Sequence, residues 1–247
     1  MIFSAMTDVG KVREHNEDSY LAKEYGNATL LAVFDGMGGA VAGEEASSTA
    51  KAEFEAYFDA FFQTAVLPEP AALQAALASA ADRANFAVYT KAIENPAYKG
   101  MGTTLVAALC TDDKIYIANV GDSRAYLIDR EVALQVTHDH SFVQHLVDLG
   151  KLTPEEARTN PNKNIITRAV GVEPSVGVDV SVLLRPQFKR KTLLLCSDGL
   201  SGAVEPQEMV KLRAKNKAPD SLVRAMIDAA NAAGGNDNIT VIAANPA

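Results

Sequence analysis

Apolar, β-rich runs in this 247-residue chain stop repeatedly at an aspartate. LLAVF runs into Asp35, IYIANVG into Asp122 and TLLLCS into Asp198, while Asp237 stands in GGNDN just before NITVIAA. Asp18 closes the cluster Arg13-Glu14-His15-Asn16-Glu17-Asp18. Taken singly, an Asp-Gly or Gly-Asp-Ser step is ordinary turn chemistry. Taken together, carboxylates at strand ends and in glycine-rich turns are placed where a rigid sheet can aim them into one cleft. Converging carboxylates cannot all stay ionised unless cations neutralise them. Oxygen donors without thiolates or paired histidines select hard ions such as Mg²⁺ or Mn²⁺ over Zn²⁺. The glycine after Asp35 fits the same picture, because a residue without a side chain can turn its carbonyl toward a metal.

The rest of the text sets the architecture. IFSAMTD, SYLAKEY and ATLLAVF read as strands. Two helical stripes follow, one through Ala46, Ala50, Phe54, Tyr57, Phe58 and Phe61, the other through Leu73, Leu77, Ala80, Ala84 and Val88, with the break Pro68-Glu69-Pro70 between them. From Gly102 to Thr137 the runs TTLVAALC, KIYIANV, RAYLI and VALQV, parted by short turns, predict a meander of antiparallel neighbours. A short helix is expected over SFVQHLVDLG and a capped helix start at Thr153-Pro154-Glu155-Glu156. The strands SVGVDVSVLL and TLLLCSD, helices near 206–213 and 219–232, and a last strand NITVIAA complete the chain. Strands in blocks and helices in pairs argue for one α+β domain of layered antiparallel sheets, with no repeat and no linker.

Composition narrows the function. Acidic residues outnumber basic ones by 31 to 23, which disfavours nucleic acid as a partner. No segment approaches a membrane span or a secretory leader, so a cytoplasmic protein is expected. Cys110 and Cys196 lie inside apolar runs and read as buried small hydrophobes. The four histidines form no metal or triad signature, and neither a G-x-S-x-G elbow nor a G-x-x-x-x-G-K-[ST] phosphate loop occurs. Arg13, beside Asn16-Glu17-Asp18, can hold a phosphate dianion with its planar fork.

At this point the order of motifs matters. RxxNED (Arg13 to Asp18), DGMGG (Asp35 to Gly39) with Gly43 to Ser47 just after, GMGTT (Gly100 to Thr104), VGDSR (Val120 to Arg124), TxDHS (Thr137 to Ser141), NIITRAVG (Asn164 to Gly171), SDGL (Ser197 to Leu200) and GGNDNITV (Gly234 to Val241) follow one another. The sequence resembles the PP2C (PPM) metal-dependent protein phosphatases, in particular their compact bacterial branch.

The resemblance implies a four-layer α/β/β/α sandwich, two antiparallel sheets flanked by helix pairs, over a single domain 1–247 with a flap at about 142–166. It implies two catalytic Mn²⁺ or Mg²⁺ ions and a third, weaker one. Asp35 would bridge the pair, Gly36 would add its carbonyl, and Asp198 and Asp237 would complete the second site. Asp122 would share the third ion with Asp198, while Asp18, with Glu17 as a further candidate, would hold metal waters. Asp122 also keeps a local reading, as a turn cap or a partner of Arg124. Catalysis would be in-line attack on phosphorus by a water that two cations acidify, with Arg13 taking up phosphoryl charge. The substrates implied are phosphoserine and phosphothreonine proteins, and the partner a membrane-anchored serine/threonine kinase that the enzyme, a monomer, opposes. Met37 stands where relatives outside the bacterial branch carry histidine, and Ala40 where many bacterial members do, so no general acid is assigned. Two other readings of the same scaffold are a phosphatase of anti-sigma-factor antagonists and a non-catalytic binding module.

Overall fold

In the computed structural model, which describes residues 1–63 and 68–246, the strands form two antiparallel sheets packed face to face. In chain order the elements are β1 (Ile2–Asp8), β2 (Asp18–Tyr25), β3 (Ala28–Met37), α1 (Ala40–Phe61), α2 (Pro70–Glu94), a 3₁₀ turn (Pro96–Tyr98), β4 (Gly102–Thr103), β5 (Leu105–Cys110), β6 (Lys114–Val120), β7 (Arg124–Ile128) and β8 (Ala133–Gln135). Then come α3 (Phe142–Asp148), α4 (Pro154–Thr159), β9 (Asp179–Leu184), α5 (Arg185–Phe188), β10 (Thr192–Cys196), α6 (Asp198–Ser201), α7 (Pro206–Lys215), α8 (Pro219–Ala232) and β11 (Ile239–Asn245). One sheet has the order β1-β11-β10-β7-β8, the other β2-β3-β5-β6-β9, with β4 added to β3.

The near-continuous apolar runs are explained by burial on both faces. In β3, Leu31 and Val33 point between the sheets, whereas Leu30, Ala32 and Phe34 pack under α1 and α2. β10 divides in the same way, with Leu193 and Leu195 inside the sandwich and Leu194 and Cys196 under α7 and α8. Period-two alternation therefore separates two cores rather than core from solvent. The expected α/β/β/α layering follows, with α1 and α2 outside one sheet and α7 and α8 outside the other. Four helices begin on proline at the position where its missing N–H costs nothing: α2, α4, α7 and α8 at Pro70, Pro154, Pro206 and Pro219. The Thr153/Glu156 capping box expected at α4 is formed. Both cysteines are free and buried.

The meander is corrected at its centre. β5–β6 and β7–β8 are hairpins, but β6 and β7 do not pair: β6 lies beside β9 in one sheet and β7 beside β10 in the other. Residues Gly121–Ser123 are a crossing between sheets, not a hairpin turn. Gly121 takes φ +101°, a conformation open to glycine, and sits so close over Thr104 that a Cβ would clash. Two strand bounds also shift. β9 is shorter than SVGVDVSVLL, because Val176 and Val178 pack on the core before pairing begins at Asp179. β3 does not stop at Phe34 but continues through Asp35 and Gly36 to Met37, pairing with β2 and β4.

Candidate metal centre

Because β3 runs on, Asp35 stands directly opposite Asp18 in the β2–β3 ladder. Side chains so placed have Cβ atoms roughly 5 Å apart, and like charges there are destabilising. A buried and a half-buried carboxylate held face to face by a rigid ladder are costly by themselves. Asp198, which opens α6 two residues after β10, and Asp237, which precedes β11, come from the facing sheet, while Asp122 sits in the crossing between the sheets after β6. The structure thus gathers all five aspartates singled out in the sequence at one end of the sandwich.

Backbone clamps hold the cluster. The Asp35 N–H donates to Thr104 Oγ1 at 3.0 Å, and its carbonyl accepts from the Thr104 N–H at 2.8 Å and Thr103 Oγ1 at 3.0 Å. Thr104 Oγ1 also shares a 2.7 Å hydrogen bond with Ser123 Oγ, tying Asp35 to the Asp122 crossing. Asn238 fixes the N-terminal loop: it accepts from the Glu17 N–H at 2.8 Å and donates to the carbonyls of Val9 and His15. His140 braces the crossing from outside, taking the Gly121 N–H on Nδ1 at 3.0 Å while Nε2 meets Asp179 at 3.1 Å. Gly36 and Gly199 have a steric reason in addition to any carbonyl role. A Cβ on Gly36 would strike the Gly43 carbonyl and one on Gly199 the Asn238 carbonyl, so both Asp-Gly steps are sites of close backbone approach.

Electrostatics show what the cluster lacks. Burial is the leading cause of every shift, followed for Asp35 by the charges of Asp18, Asp198, Asp122 and Asp237; its carboxyl is held well above the usual range. Asp18 is pushed up to about 7, Asp122 to about 8 and Asp198 to about 6. Asp35 and Asp198 are only half-buried, yet the protein encloses them closely enough for burial to dominate. Ser197 Oγ donates to Asp18 Oδ2 at 2.8 Å, while Asp18 Oδ1 is buried with no hydrogen-bond partner. Among the described residues no three His, Cys, Asp or Glu side chains already stand as a closed metal cage. The donor set nevertheless fits divalent cations: all-oxygen, buried or half-buried, mutually repelling and with one orphaned carboxylate oxygen on Asp18.

Linkage gives this arrangement a measurable sign. These carboxylates titrate near 3.9 in an unfolded chain, but at about 6 to 8 in the fold where a value is given. The fold therefore holds the protons more tightly. Stability that is fully present below about pH 4 is lost as pH rises through about 6 to 8. In EDTA the melting temperature is expected to fall from about pH 5 to about pH 8, and the gain on adding Mn²⁺ to grow over the same range, because cations take the ionised form. A melting temperature in EDTA that climbs across this range would contradict the repelling cluster.

Arg13 reaches the same place by another route. Its Nη2 donates to Asp237 Oδ2 at 3.0 Å, and the second oxygen of Asp237 accepts the Asn238 N–H at 2.9 Å. Arg124 is not the partner of Asp122. It grips the buried Asp139 through Nε, at 3.0 and 2.9 Å, and through Nη2 at 2.6 Å, while Gln135 donates to the same carboxylate at 2.8 Å. Sequence reading did not single out Asp139, Asn238, Thr104 or Lys163. The first three stand inside quoted motifs. Lys163, between α4 and β9, lines the cleft with Asp122, Asp198 and Asp237 and favours the charged form of Asp198. That cleft has a volume of about 630 Å³.

Known proteins share this architecture. The Protein phosphatase 2C family model matches residues 10–241. The serine/threonine phosphatase stp of Listeria monocytogenes is 39% identical over 237 residues, 96% of this chain and 92% of that protein. The serine/threonine phosphatase Stp1 of Staphylococcus aureus superposes with a TM-score of 0.88 at 39% identity, covering 99% of this chain and 95% of that one. The catalytic domain of the serine threonine protein phosphatase PstP, in complex with two manganese ions, does so with a TM-score of 0.84 at 35% identity, over 98% and 96%.

Proposed function

Since this chain belongs to the protein phosphatase 2C family, we propose that its carboxylate cluster holds the divalent cations with which it hydrolyses phosphoserine and phosphothreonine on proteins. The chain is a protein phosphatase, a phosphoric monoester hydrolase. The observation that carries the metal reading is the pairing of Asp18 with Asp35 directly across the β2–β3 ladder.

In this reading Asp35, the Gly36 carbonyl, Asp198 and Asp237 would hold the two catalytic ions. Asp122 with Asp198 would hold a third, weaker ion, and Asp18 and Glu17 would hold water on the ions. The ions, Mn²⁺ or Mg²⁺, supply positive charge opposite the phosphoryl oxygens and lower the pKa of coordinated water. The protein's own groups do the rest. The ladder and the Thr103/Thr104 clamp fix Asp35 in advance, so little reorganisation accompanies catalysis. Arg13, half exposed and joined to Asp237 here, would be free to turn its fork to the phosphate if that carboxylate held a cation. Residues 142–166, with α3 and α4, act as a flap beside the cleft within the single domain 1–247, and Lys163 behind α4 offers the incoming phosphate a second cation. The substrates are products of a serine/threonine kinase, which this enzyme opposes as a cytoplasmic monomer. Among the described residues no helix is long and apolar enough to cross a membrane.

Phosphate release from a phosphothreonine peptide tests the reading. Hydrolysis is expected only with Mn²⁺ or Mg²⁺, abolished by EDTA and much slower on a phosphotyrosine peptide. Turnover that EDTA leaves untouched would refute the metal role. A clear preference for a phosphorylated anti-sigma-factor antagonist would change the substrate. Arg13→Ala should raise KM and lower kcat/KM by about 10- to 100-fold, with Mn²⁺ affinity nearly unchanged. Weakened Mn²⁺ binding at constant KM would instead make Arg13 a brace for Asp237.

A further inference from the structure

One cavity is lined by cations in a chain of net charge −8, and it lies at the opposite end of the sandwich from the aspartates. β10 leads from it to Asp198, β7 leads away from Arg124 toward it, and β11 leads from Asp237 toward it. The five residues of β10 alone span roughly 17 Å, so the cavity and the metal cleft are separate places. About 900 Å³ in volume, it is lined by Arg130, Arg190, Arg213 and Lys217 together with Asp129 and Glu131. The cations arrive on three segments: the β7–β8 hairpin tip, the turn before β10, and the end of α7 with its following loop. Complementing the negative end of the α7 dipole explains Arg213 but not Arg130 or Arg190.

The carboxylates present do not cancel this charge. Asp129 Oδ1 accepts the N–H groups of Glu131 at 2.8 Å and Val132 at 2.9 Å, and its Oδ2 faces Lys191 at 3.8 Å. Glu131 remains as one exposed acid. Among the described residues, none of the four cations forms a salt bridge. Arg213 is built into the fold. It is partly buried, and its Nε donates to Thr192 Oγ1. The fully buried Thr192 donates onward to Asn245 Oδ1 at 2.7 Å, and Asn245 Nδ2 donates to the Lys217 carbonyl at 3.0 Å. This network orients the guanidinium and leaves its terminal nitrogens for a ligand. Burial and the neighbouring Arg130 push the Arg213 pKa down, as expected of a cation short of a counter-charge.

We propose that this cavity is a second phosphate-binding site, distinct from the metal centre. Three guanidinium groups and an ammonium around one space match a phosphate dianion, which planar forks grip bidentately. Two sources carry that group: free inorganic phosphate, which the reaction releases, and a second phosphorylated residue on a protein substrate.

The test uses the Mn²⁺-loaded full chain and the double variant Arg130→Gln/Arg190→Gln, which alters two exposed side chains and spares Arg213 and its buried partner. Hydrolysis of p-nitrophenyl phosphate should stay within about twofold of wild type, so a failure of the metal reading would show separately. Calorimetric titration with inorganic phosphate is expected to find two sites in the wild type and one in the variant if free phosphate is the ligand. If the ligand is a substrate phosphate, KM for a peptide carrying two phosphothreonines should rise about fivefold or more in the variant, with KM for the singly phosphorylated peptide unchanged. Equal phosphate counts together with unchanged KM values for both peptides would overturn the proposal.

Discussion

Replacing Asp35 by alanine is expected to lower kcat/KM for a phosphothreonine peptide by about a thousandfold or more, with an unchanged circular dichroism spectrum. The size follows from the several kcal/mol that bound cations contribute to transition-state charge stabilisation, each ~1.4 kcal/mol being tenfold in rate. The fold should survive because the Asp35 backbone, not its side chain, makes the hydrogen bonds to Thr103 and Thr104. In EDTA at neutral pH the variant should melt higher than wild type, since a carboxylate that four others repel has been removed. That second readout separates a lost ligand from a damaged fold. Activity within tenfold of wild type at saturating Mn²⁺ would remove Asp35 from the metal site.

Asp139→Ala is expected to be the most destabilising single change near the cleft. Asp139 is almost fully buried, and Arg124 closes on it with three hydrogen bonds, so truncation leaves a largely buried guanidinium without its counter-charge. Breaking such a pair costs about 3–5 kcal/mol, which for a domain of this size is roughly 10 °C in melting temperature. The effect should be partly repaired in Arg124→Met/Asp139→Leu, where neither charge is left alone. A melting temperature within about 2 °C of wild type for Asp139→Ala would mean that solvent already screens Arg124. The pair also bears on the site, because Arg124 follows the Asp122 crossing by two residues and helps hold it in place.

How much of this was legible in the sequence depended on how local each signal was. The layers were readable because runs such as LLAVF and TLLLC repeat with period two and the helical stripes fall at spacings of three and four. The five aspartates were readable because Asp35, Asp122 and Asp198 end such runs, Asp18 closes the RxxNED cluster and Asp237 stands in a glycine-rich turn just before the last strand. The crossing at Gly121–Ser123 was not, since Gly-Asp-Ser is equally good chemistry for a hairpin and for a change of sheet. Only the partners of β6 and β7, namely β9 and β10 more than fifty residues away, decide between them. Nor could the sequence show that Asp35 lies inside its strand. Gly36 looks like a turn signal, whereas its use is the close approach of Gly43 and Glu17. Arg124–Asp139 and the Asn238 clamp join residues 15 and more than 200 positions apart, beyond any local pattern. Their place inside TxDHS and GGNDNITV was the only available hint.

The proposed role of the aspartates is to hold divalent cations between the two facing sheets. Anomalous diffraction at the manganese edge, from crystals grown with Mn²⁺, tests it most directly. The account predicts two strong peaks sharing Asp35 as a ligand, one also bonded to the Gly36 carbonyl and the other to Asp198 and Asp237, with a weaker third between Asp122 and Asp198. A well-diffracting crystal with no peak within bonding distance of Asp35 or Asp198 would contradict it.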